Sequence, residues 1–359
     1  MKRQKKHQTK LLPTHPQIYE AEILPGLKPL VEAELGRQLG KKMAILPISD
    51  RSEALAFHYN GPIADLLRLR TVIAVYLVQH FAIPRPRALL GHQHFQTLLK
   101  QIISVLNRFQ PGRFRTFRFS AAGKTSAIFA RLRDEIQTKT GLVYNDDQGD
   151  LLIRIRPAKL SRTGWEVLLR LSPRPLSVRS WRKHDMPGAL NATIAAAMLE
   201  LTQPKPTDRF CNLMSGSATL LIERLNRLPA KMAVGGDLDP IILAVARQNI
   251  QAAGLSAQID LLNLDAVQTP FPAGSFDVIC ADPPWGQLVG SPQQPINLYP
   301  NFLAEAGRLA APEARLVVLT HRISLFERTL PDFAAVWRLE RALQIYQGGL
   351  HPKIYCLKH

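Results

Sequence analysis

The chain has 359 residues, of which 46% are hydrophobic, and a formal net charge of +18, a composition that suffices for two or three globular domains. The sequence predicts neither a transmembrane helix nor a secretory signal, because it has no run of 18 or more apolar residues and no apolar segment directly behind its basic first ten residues. Three widely spaced cysteines, Cys211, Cys280 and Cys356, predict neither a disulfide framework nor a metal site and are typical of the reducing cytoplasm.

The excess of positive charge lies entirely in the N-terminal half. Residues 1–184 carry 32 Lys and Arg against 13 Asp and Glu, whereas residues 185–359 carry 14 against 15. This asymmetry indicates a module that binds a polyanion, with nucleic acid as the leading candidate, joined to a neutral module. The alternative is a basic tail that only aids solubility, but the excess persists when the first 16 residues are left out.

The N-terminal half predicts a disordered basic tail at residues 1–16 and then two α+β segments, 17–87 and 88 to about 180, with a proline-containing linker at 84–87. The predicted strands are Gln17–Ile23, Ala54–Tyr59, Arg113–Ser120, Leu151–Arg156 and Trp165–Leu171. The predicted helices are Pro25–Leu39, Phe95–Phe109 and Ser126–Thr138, with one more that opens at Pro62 and leads into an apolar stretch ending near Ala82.

Two basic features of this half are candidate nucleic-acid contacts. The strand Arg113–Ser120 alternates arginine with phenylalanine, so the phenylalanines are expected in the core, and the arginine face suits phosphate contact or simple solvation. A second cluster, around Arg179 and Arg182, lies where the two halves meet and could contact nucleic acid or be a solvated linker. The candidate contact residues are Arg113, Arg115, Arg118, Lys124, Arg179 and Arg182.

From about residue 185 the chain alternates strands and helices in the pattern of a parallel α/β sheet. The predicted strands are Arg209–Met214, Ala230–Gly236, Gln258–Leu262, Phe276–Ala281, Arg315–Thr320, Val336–Leu343 and Lys353–Leu357. The predicted helices are Leu220–Arg227, Ile241–Ala253 and Leu298–Leu309. Ligands of such sheets bind beyond the carboxyl ends of the strands, so the residues that follow the strands are the site candidates.

The ends of the first three of these strands indicate a cofactor that contains a nucleoside. Gly216, in the first turn, lets a ligand approach the backbone, and Asp237, 21 residues later, can hold the two hydroxyls of a ribose. NAD is the rival ligand, but the turn is not G-x-G-x-x-G and offers no cradle for a pyrophosphate. Asp265, after the third strand, is placed either to accept a hydrogen bond from an adenine amino group or to cap a turn.

The motif Asp282-Pro283-Pro284-Trp285 follows the fourth strand and points to the chemistry. An exocyclic amino group of a purine is a weak nucleophile, because its lone pair is delocalised into the ring, so it needs acceptors for its protons. Asp282 supplies a carboxylate, and Pro283, with a fixed φ and no N–H, helps present a backbone carbonyl. Trp285 offers a flat face on which a flipped base can stack. A proline-rich turn without chemistry is the alternative, which the position after a fourth strand disfavours.

These residues resemble the motifs of class I S-adenosylmethionine-dependent methyltransferases that act on amino groups. The whole chain resembles the THUMP-domain RNA guanine-N2 methyltransferases, most closely those that modify guanine at position six of tRNA. The matching stretches are 185–195, the turn around Gly216, 236–239, the Asp282 motif and 348–355. The resemblance implies a ferredoxin-like domain at 17–87, a THUMP RNA-binding domain at 88–180 and a Rossmann-like catalytic domain with a seven-stranded mixed sheet at 185–359.

The resemblance also implies S-adenosyl-L-methionine as cofactor and tRNA as partner, and we expect a cytoplasmic monomer. The expected cofactor-binding residues are Asn212, Ser215, Gly216, Ser217, Ala218, Thr219, Asp237, Leu238, Asp265, Ala266 and Asp282. Two positions depart from the family pattern: Asn212 replaces an Asp that helps organise the amino-acid end of the donor, and Ala218 replaces a second Gly. Another tRNA position, ribosomal RNA and a catalytically inactive RNA-binding relative stay open as alternatives, whereas DNA methylation would leave the basic half unexplained.

Overall fold

The structure is a computed structural model that describes residues 17–47, 52–284 and 298–359. The expected disordered tail at 1–16 and the base-stacking residue Trp285 therefore lie outside the described residues. The chain divides into two compact units. One comprises the residues up to Glu22, Leu35–Leu69 and Ala74–Pro175, and the other comprises Ile23–Glu34, Arg70–Ile73 and Leu176–His359. Across the described ranges, we find no helix with the length and apolarity needed to cross a membrane.

An eight-stranded sheet forms the first unit. Its strands are β1 (Gln17–Glu22), β2 (Met43–Ile45), β3 (Ala54–Tyr59), β4 (Ala74–Phe81), β5 (Thr116–Ser120), β6 (Val143–Tyr144), β7 (Leu151–Pro157) and β8 (Trp165–Arg170), in the order β2-β3-β1-β4-β8-β7-β5-β6. The helices of the N-terminal half are α1 (Lys28–Leu39), α2 (Ile63–Leu66), α3 (His92–Asn107) and α4 (Ala127–Thr140). Because β4 pairs with β8, strands from both predicted N-terminal domains join one sheet.

Two predictions for this half need correction. The apolar stretch that ends near Ala82 is strand β4 and not part of a helix, since α2 has only four residues. Strand β4 is buried along most of its length, so it shows no alternation that would separate it from a buried helix. Strand β5 begins at Thr116, three residues later than predicted, but its alternation is confirmed: Phe117 and Phe119 are buried and Arg118 is half-buried.

The second unit contains the seven-stranded mixed sheet that the family resemblance implied. Its strands are β9 (Arg209–Leu213), β10 (Met232–Asp237), β11 (Asp260–Asn263), β12 (Phe276–Ala281), β13 (Ala310–Thr320), β14 (Arg338–Gln344) and β15 (Lys353–Lys358), in the order β11-β10-β9-β12-β13-β15-β14. The helices are α5 (Ala192–Leu201), α6 (Thr219–Arg227), α7 (Pro240–Ala252), α8 (Leu298–Leu309) and α9 (Ile323–Thr329). The first five strands pair in parallel, and β15 is antiparallel to both of its neighbours. The predicted α/β fold class is confirmed.

The strand order reverses between β9 and β12. The chain proceeds from β9 outwards through β10 to β11 and then returns to β12 on the other side of β9. The carboxyl ends of β9, β10 and β12 therefore lie at one edge of the sheet, beside the point where ligands bind in open α/β folds. Large buried side chains such as Phe210, Phe276 and Phe302 fill the core on which these strands rest.

Candidate active site

The turn between β9 and α6 folds tightly at the edge of the sheet. Met214, Gly216 and Ala218 have positive φ angles of 63°, 52° and 65°, a region that only glycine adopts at no steric cost. The Ser215 amide donates a hydrogen bond of 2.7 Å to the carbonyl of Gly236, which ties the turn to the end of β10. This turn presents its backbone to the space above the strand ends.

Asp237 at the end of β10 is held in place by the same turn. Its carboxylate accepts hydrogen bonds from the amides of Gly216 (2.8 Å) and Asp239 (3.2 Å). Asp239 itself caps α7, because its side chain accepts from the amide of Ile241 at 2.8 Å. Each carboxylate oxygen has more than one lone pair, so Asp237 can also accept hydrogen bonds from a ligand.

A cavity of about 340 Å³ opens between these strand ends, a size within the range of small-molecule sites. Ten of the eleven expected cofactor residues line it: Asn212, Ser215, Gly216, Ser217, Thr219, Asp237, Leu238, Asp265, Ala266 and Asp282. The eleventh, Ala218, is fully buried and is not part of the lining, so its methyl group does not narrow the cavity.

Two polar atoms on the cavity wall are suited to a ligand. Asn212 is almost fully buried and donates through Nδ2 to the carbonyl of Cys280 at 3.1 Å. Within the described part of the chain, its Oδ1 and the Oγ of Ser215 are buried without a hydrogen-bond partner. A buried polar atom without a partner is costly, and polar groups of a bound molecule would satisfy both.

Asp282 follows β12 directly beside the end of β9, since Cys280 is in register with Asn212. Asp282 and Pro284 line the cavity, whereas Pro283 is buried and not part of its lining. The neighbouring Tyr299 is buried and forms a 2.6 Å hydrogen bond with Thr320. Burial raises the pKa of Tyr299, and the charge of Asp282 adds to the rise. The catalytic candidates Asp282 and Pro284 are thus brought together with the expected cofactor residues.

Asp265 caps a turn and also lies on the cavity wall. Its Oδ1 accepts a hydrogen bond from the amide of Val267 at 3.0 Å, which is a turn cap, and the residue also lines the cavity. Among the described residues, no group of three or more His, Cys, Asp or Glu is arranged to hold a metal ion.

The sequence prediction missed one whole wall of the cavity, the segment 186–190. Arg182 fixes this segment, because its guanidinium donates to the carbonyl of Leu190 at 2.7 Å and to Oγ1 of Thr219 at 2.9 Å. Asn191 then caps α5 by accepting from the Thr193 amide at 2.8 Å. The Pro187-Gly188 turn before this cap was the available signal. The other lining residues that were missed are Met214, Leu220, Asp239, Ile242, Leu264 and Leu298.

The candidate RNA contacts fall into two groups. Arg179 is buried and its guanidinium is bonded to Glu223 at 2.9 Å, and Arg182 supports the cavity wall, so their positions favour structural roles. Arg113 and Arg115 are exposed. Arg118 and Lys124 are half-buried, with Lys124 paired to Asp146 at 2.8 Å.

Comparison with known proteins gives the family. Residues 179–353 match the family described as RMKL-like, methyltransferase domain. The tRNA (guanine(6)-N2)-methyltransferase of Thermus thermophilus is 30% identical over 292 residues, which cover 80% of this chain and 85% of that protein. The chain belongs to this family of S-adenosylmethionine-dependent RNA guanine-N2 methyltransferases. The predicted enzyme class and cofactor are thereby confirmed.

Two further relatives show the extent of the likeness. The crystal structure of TrmN from Thermus thermophilus superimposes with a TM-score of 0.72 and 26% identity, covering 95% of this chain and 99% of that chain. The mouse tRNA (guanine(6)-N(2))-methyltransferase THUMP3 is 32% identical over 187 residues, or 49% of this chain. The match covers only 37% of the mouse protein.

Proposed function

We propose that this protein transfers a methyl group from S-adenosylmethionine to the N2 amino group of a guanine in tRNA, at position six of the acceptor stem. The observation that carries the proposal is the placement of Asp282-Pro283-Pro284 at the end of β12, beside a cavity lined by Asp237 and the Gly216 turn. The name of the Thermus thermophilus relative, which matches over 85% of its length, supports the tRNA substrate and the position.

The cavity residues fit the cofactor by their chemistry. Asp237 would accept hydrogen bonds from the ribose hydroxyls, and Asp265 with Ala266 would contact the adenine. The unpartnered Oδ1 of Asn212 and the Oγ of Ser215 would meet the polar amino-acid end. When bound, S-adenosylmethionine supplies an electrophilic methyl group.

The protein's own contribution to the reaction is to orient the guanine amino group. The carboxylate of Asp282 and the carbonyl of Pro283 accept hydrogen bonds from its two N–H groups, and Trp285 fixes the plane of the base by stacking. Asp282 also stabilises the positive charge that develops on nitrogen and receives the proton that is lost. A strong base is not needed, because a methylated amine that carries a positive charge is very acidic. Orientation and charge stabilisation of this kind contribute a few kcal/mol.

The N-terminal half binds the RNA in this proposal. Its 32 basic against 13 acidic residues supply phosphate neutralisation, which accounts for much of RNA affinity, while shape selects a folded RNA. Residues 17–87 and 88–180 act as ferredoxin-like and THUMP domains that share the eight-stranded sheet. The protein works as a cytoplasmic monomer.

The test is methylation of a tRNA transcript with labelled S-adenosylmethionine, followed by nucleoside mass spectrometry and mapping of the modified position. We expect N2-methylguanosine at position six and no product from a transcript with adenine there. Product at another tRNA position, or in ribosomal RNA only, would correct the substrate. The absence of any product from total RNA lacking the modification would favour the inactive RNA-binding relative.

A further inference from the structure

The hairpin between β14 and β15 projects from the same end of the sheet as Asp282, the end at which the parallel strands have their carboxyl termini. Lys353, at the start of β15, is in register with Thr320 of β13 and with Gln344 of β14. Strand β13 runs parallel to β12, with Val318 beside Ala281. The hairpin tip, residues 346–351, therefore lies beyond the edge where Asp282 emerges, outside the cofactor cavity.

This hairpin tip exposes apolar and aromatic surface. Tyr346 and Leu350 are each 42% exposed, and His351 is exposed beside Tyr346 with their ring centroids 5.0 Å apart. Arg322, which follows the end of β13, is exposed at the same edge. An exposed aromatic pair with a cation nearby is the surface that single-stranded or unstacked nucleotides bind, through base stacking and phosphate contact.

The hairpin tip is also held rigidly. Gln347 and Leu350 exchange backbone hydrogen bonds of 2.9 and 3.0 Å, and the Tyr346 amide donates to the carbonyl of Pro25 at 3.1 Å. Gly26 packs so closely that a Cβ there would lie 2.0 Å from the carbonyl oxygen of Gln344. Because the surface is already ordered, a ligand that binds it loses little conformational entropy on the protein side.

We infer that the hairpin tip is a contact surface for the substrate RNA, additional to the N-terminal half. Tyr346 stacks on a base face that becomes exposed when the target guanine leaves its helix, and Arg322 neutralises a neighbouring phosphate. Base flipping leaves such a gap in the stack, next to the active site by necessity. The inference rests on the proposed function, since it needs an RNA substrate whose guanine enters the cavity from this edge.

The experiment uses the full-length protein and steady-state methylation of a tRNA transcript. Tyr346→Ala should lower kcat/KM for tRNA about tenfold, the fold-change that loss of one aromatic stacking contact gives. Tyr346→Phe should keep most of the activity, because the ring remains. Leu339→Ala is the matched control and should behave as wild type, since Leu339 is 47% exposed on β14, near the end of that strand that lies away from the hairpin tip.

A spectroscopic signal separates stacking from loss of folding. In a transcript with 2-aminopurine next to the target guanine, binding of the wild type should change the fluorescence, and Tyr346→Ala should abolish that change while the affinity for S-adenosylmethionine stays the same. Arg322→Gln, which leaves the hairpin intact, should reduce the slope of log affinity for tRNA against log salt by about 1.

The outcomes distinguish this inference from the proposed function. If the wild type methylates tRNA and Tyr346→Ala equals it in kcat/KM and in fluorescence change, the role of the hairpin is overturned but the proposed function is not. If Arg322→Gln leaves the slope of log affinity for tRNA against log salt unchanged, the proposed phosphate contact of Arg322 is overturned. Wild type that methylates no tRNA would overturn the proposed function itself.

Discussion

Asp237 carries the clearest prediction about cofactor binding. Its carboxylate supports the Gly216 amide at 2.8 Å and lines the cavity. We expect Asp237→Ala to weaken S-adenosylmethionine binding about 30-fold, or about 2 kcal/mol, the scale for losing hydrogen bonds to a charged group. Calorimetry measures this affinity. Asp260 is an exposed carboxylate at the start of β11, so Asp260→Ala is the control and should leave the affinity unchanged. Equal affinities of Asp237→Ala and wild type, or binding of NAD instead, would contradict the assignment.

Asp282 carries the prediction about catalysis. Although Asp282 also lines the cofactor cavity, its proposed role is to orient the amino group. Asp282→Ala should therefore lower turnover by about a hundredfold to a thousandfold, while the cofactor and tRNA affinities change much less. Asp282→Asn should be milder, because the amide oxygen still accepts one hydrogen bond. Single-turnover rates at saturating tRNA and S-adenosylmethionine test both. Methylation by Asp282→Ala at the wild-type rate would show that the active site lies elsewhere.

At the scale of elements, Glu305 of α8 stabilises the loop between β11 and β12. It pairs with Arg308 at 2.6 Å and accepts hydrogen bonds from the amide and hydroxyl of Thr269 at 2.9 and 2.6 Å. Arg308 and Thr269 lower the pKa of Glu305 to about 2, although partial burial opposes them. Because the folded pKa lies below the unfolded value of about 4.5, the stabilisation is complete above that pH and is lost as the pH falls towards 2.

Glu305→Gln should therefore lower the free energy of unfolding by about 2 kcal/mol at pH 7, the magnitude of hydrogen bonds to a charged group. The deficit relative to wild type should shrink at pH 3.5. Urea unfolding of the variant and the wild type at pH 7 and at pH 3.5 measures this deficit. Glu313→Gln, which removes an exposed pair with Lys358, is the control and should have little effect at either pH. A deficit that is the same at both pH values would contradict the role of the carboxylate.

The elements also show where periodicity was informative. The strand Phe276–Ala281 and the helix Leu298–Leu309 were predicted to the residue. Helix α5 was missed, because all of its residues except Glu200 are buried and no polar face marks a helical period. Strand β4 also lacks this contrast, since it is buried along most of its length, and its sequence therefore resembles that of a buried helix. Full burial removes the contrast between apolar and polar faces on which sequence prediction depends.

At the scale of the whole molecule, the charge asymmetry predicts a steep dependence of tRNA binding on salt. Affinity should fall by roughly a hundredfold or more between 50 and 200 mM salt. The double variant Arg113→Gln and Arg115→Gln, at two exposed positions, should reduce the slope of log affinity against log salt by about 2. Deleting residues 1–16 should weaken binding only modestly, since the positive excess of this half persists without them.

Filter binding over a salt series measures the slope. Arg338→Gln is the matched control, because Arg338 is an equally cationic side chain, 73% exposed, on β14 of the other unit. It should leave the slope unchanged. Binding of tRNA that is indifferent to salt would refute the assignment of RNA contact to the basic half.

The α/β class, the residues that follow each strand and the chemistry available to those residues could be predicted from the sequence alone. Local properties suffice for this, because a strand, the turn after it and an acid at its end are contiguous in the chain. Which distant segments meet depends on the folding of the whole chain and could not be predicted in this way. Segment 186–190 became a cavity wall only through the hydrogen bonds of Arg182, and Arg179 became a buried partner of Glu223.

Asn212 shows the physical reason for this division. The sequence marks it as a departure from the family's Asp, and nothing local says what the change does. In the fold its amide donates to the carbonyl of Cys280 on the neighbouring strand, 68 residues away, which a carboxylate has no proton to do. Hydrogen-bond partners across a sheet are set by strand order and register, and these depend on the packing of the whole chain.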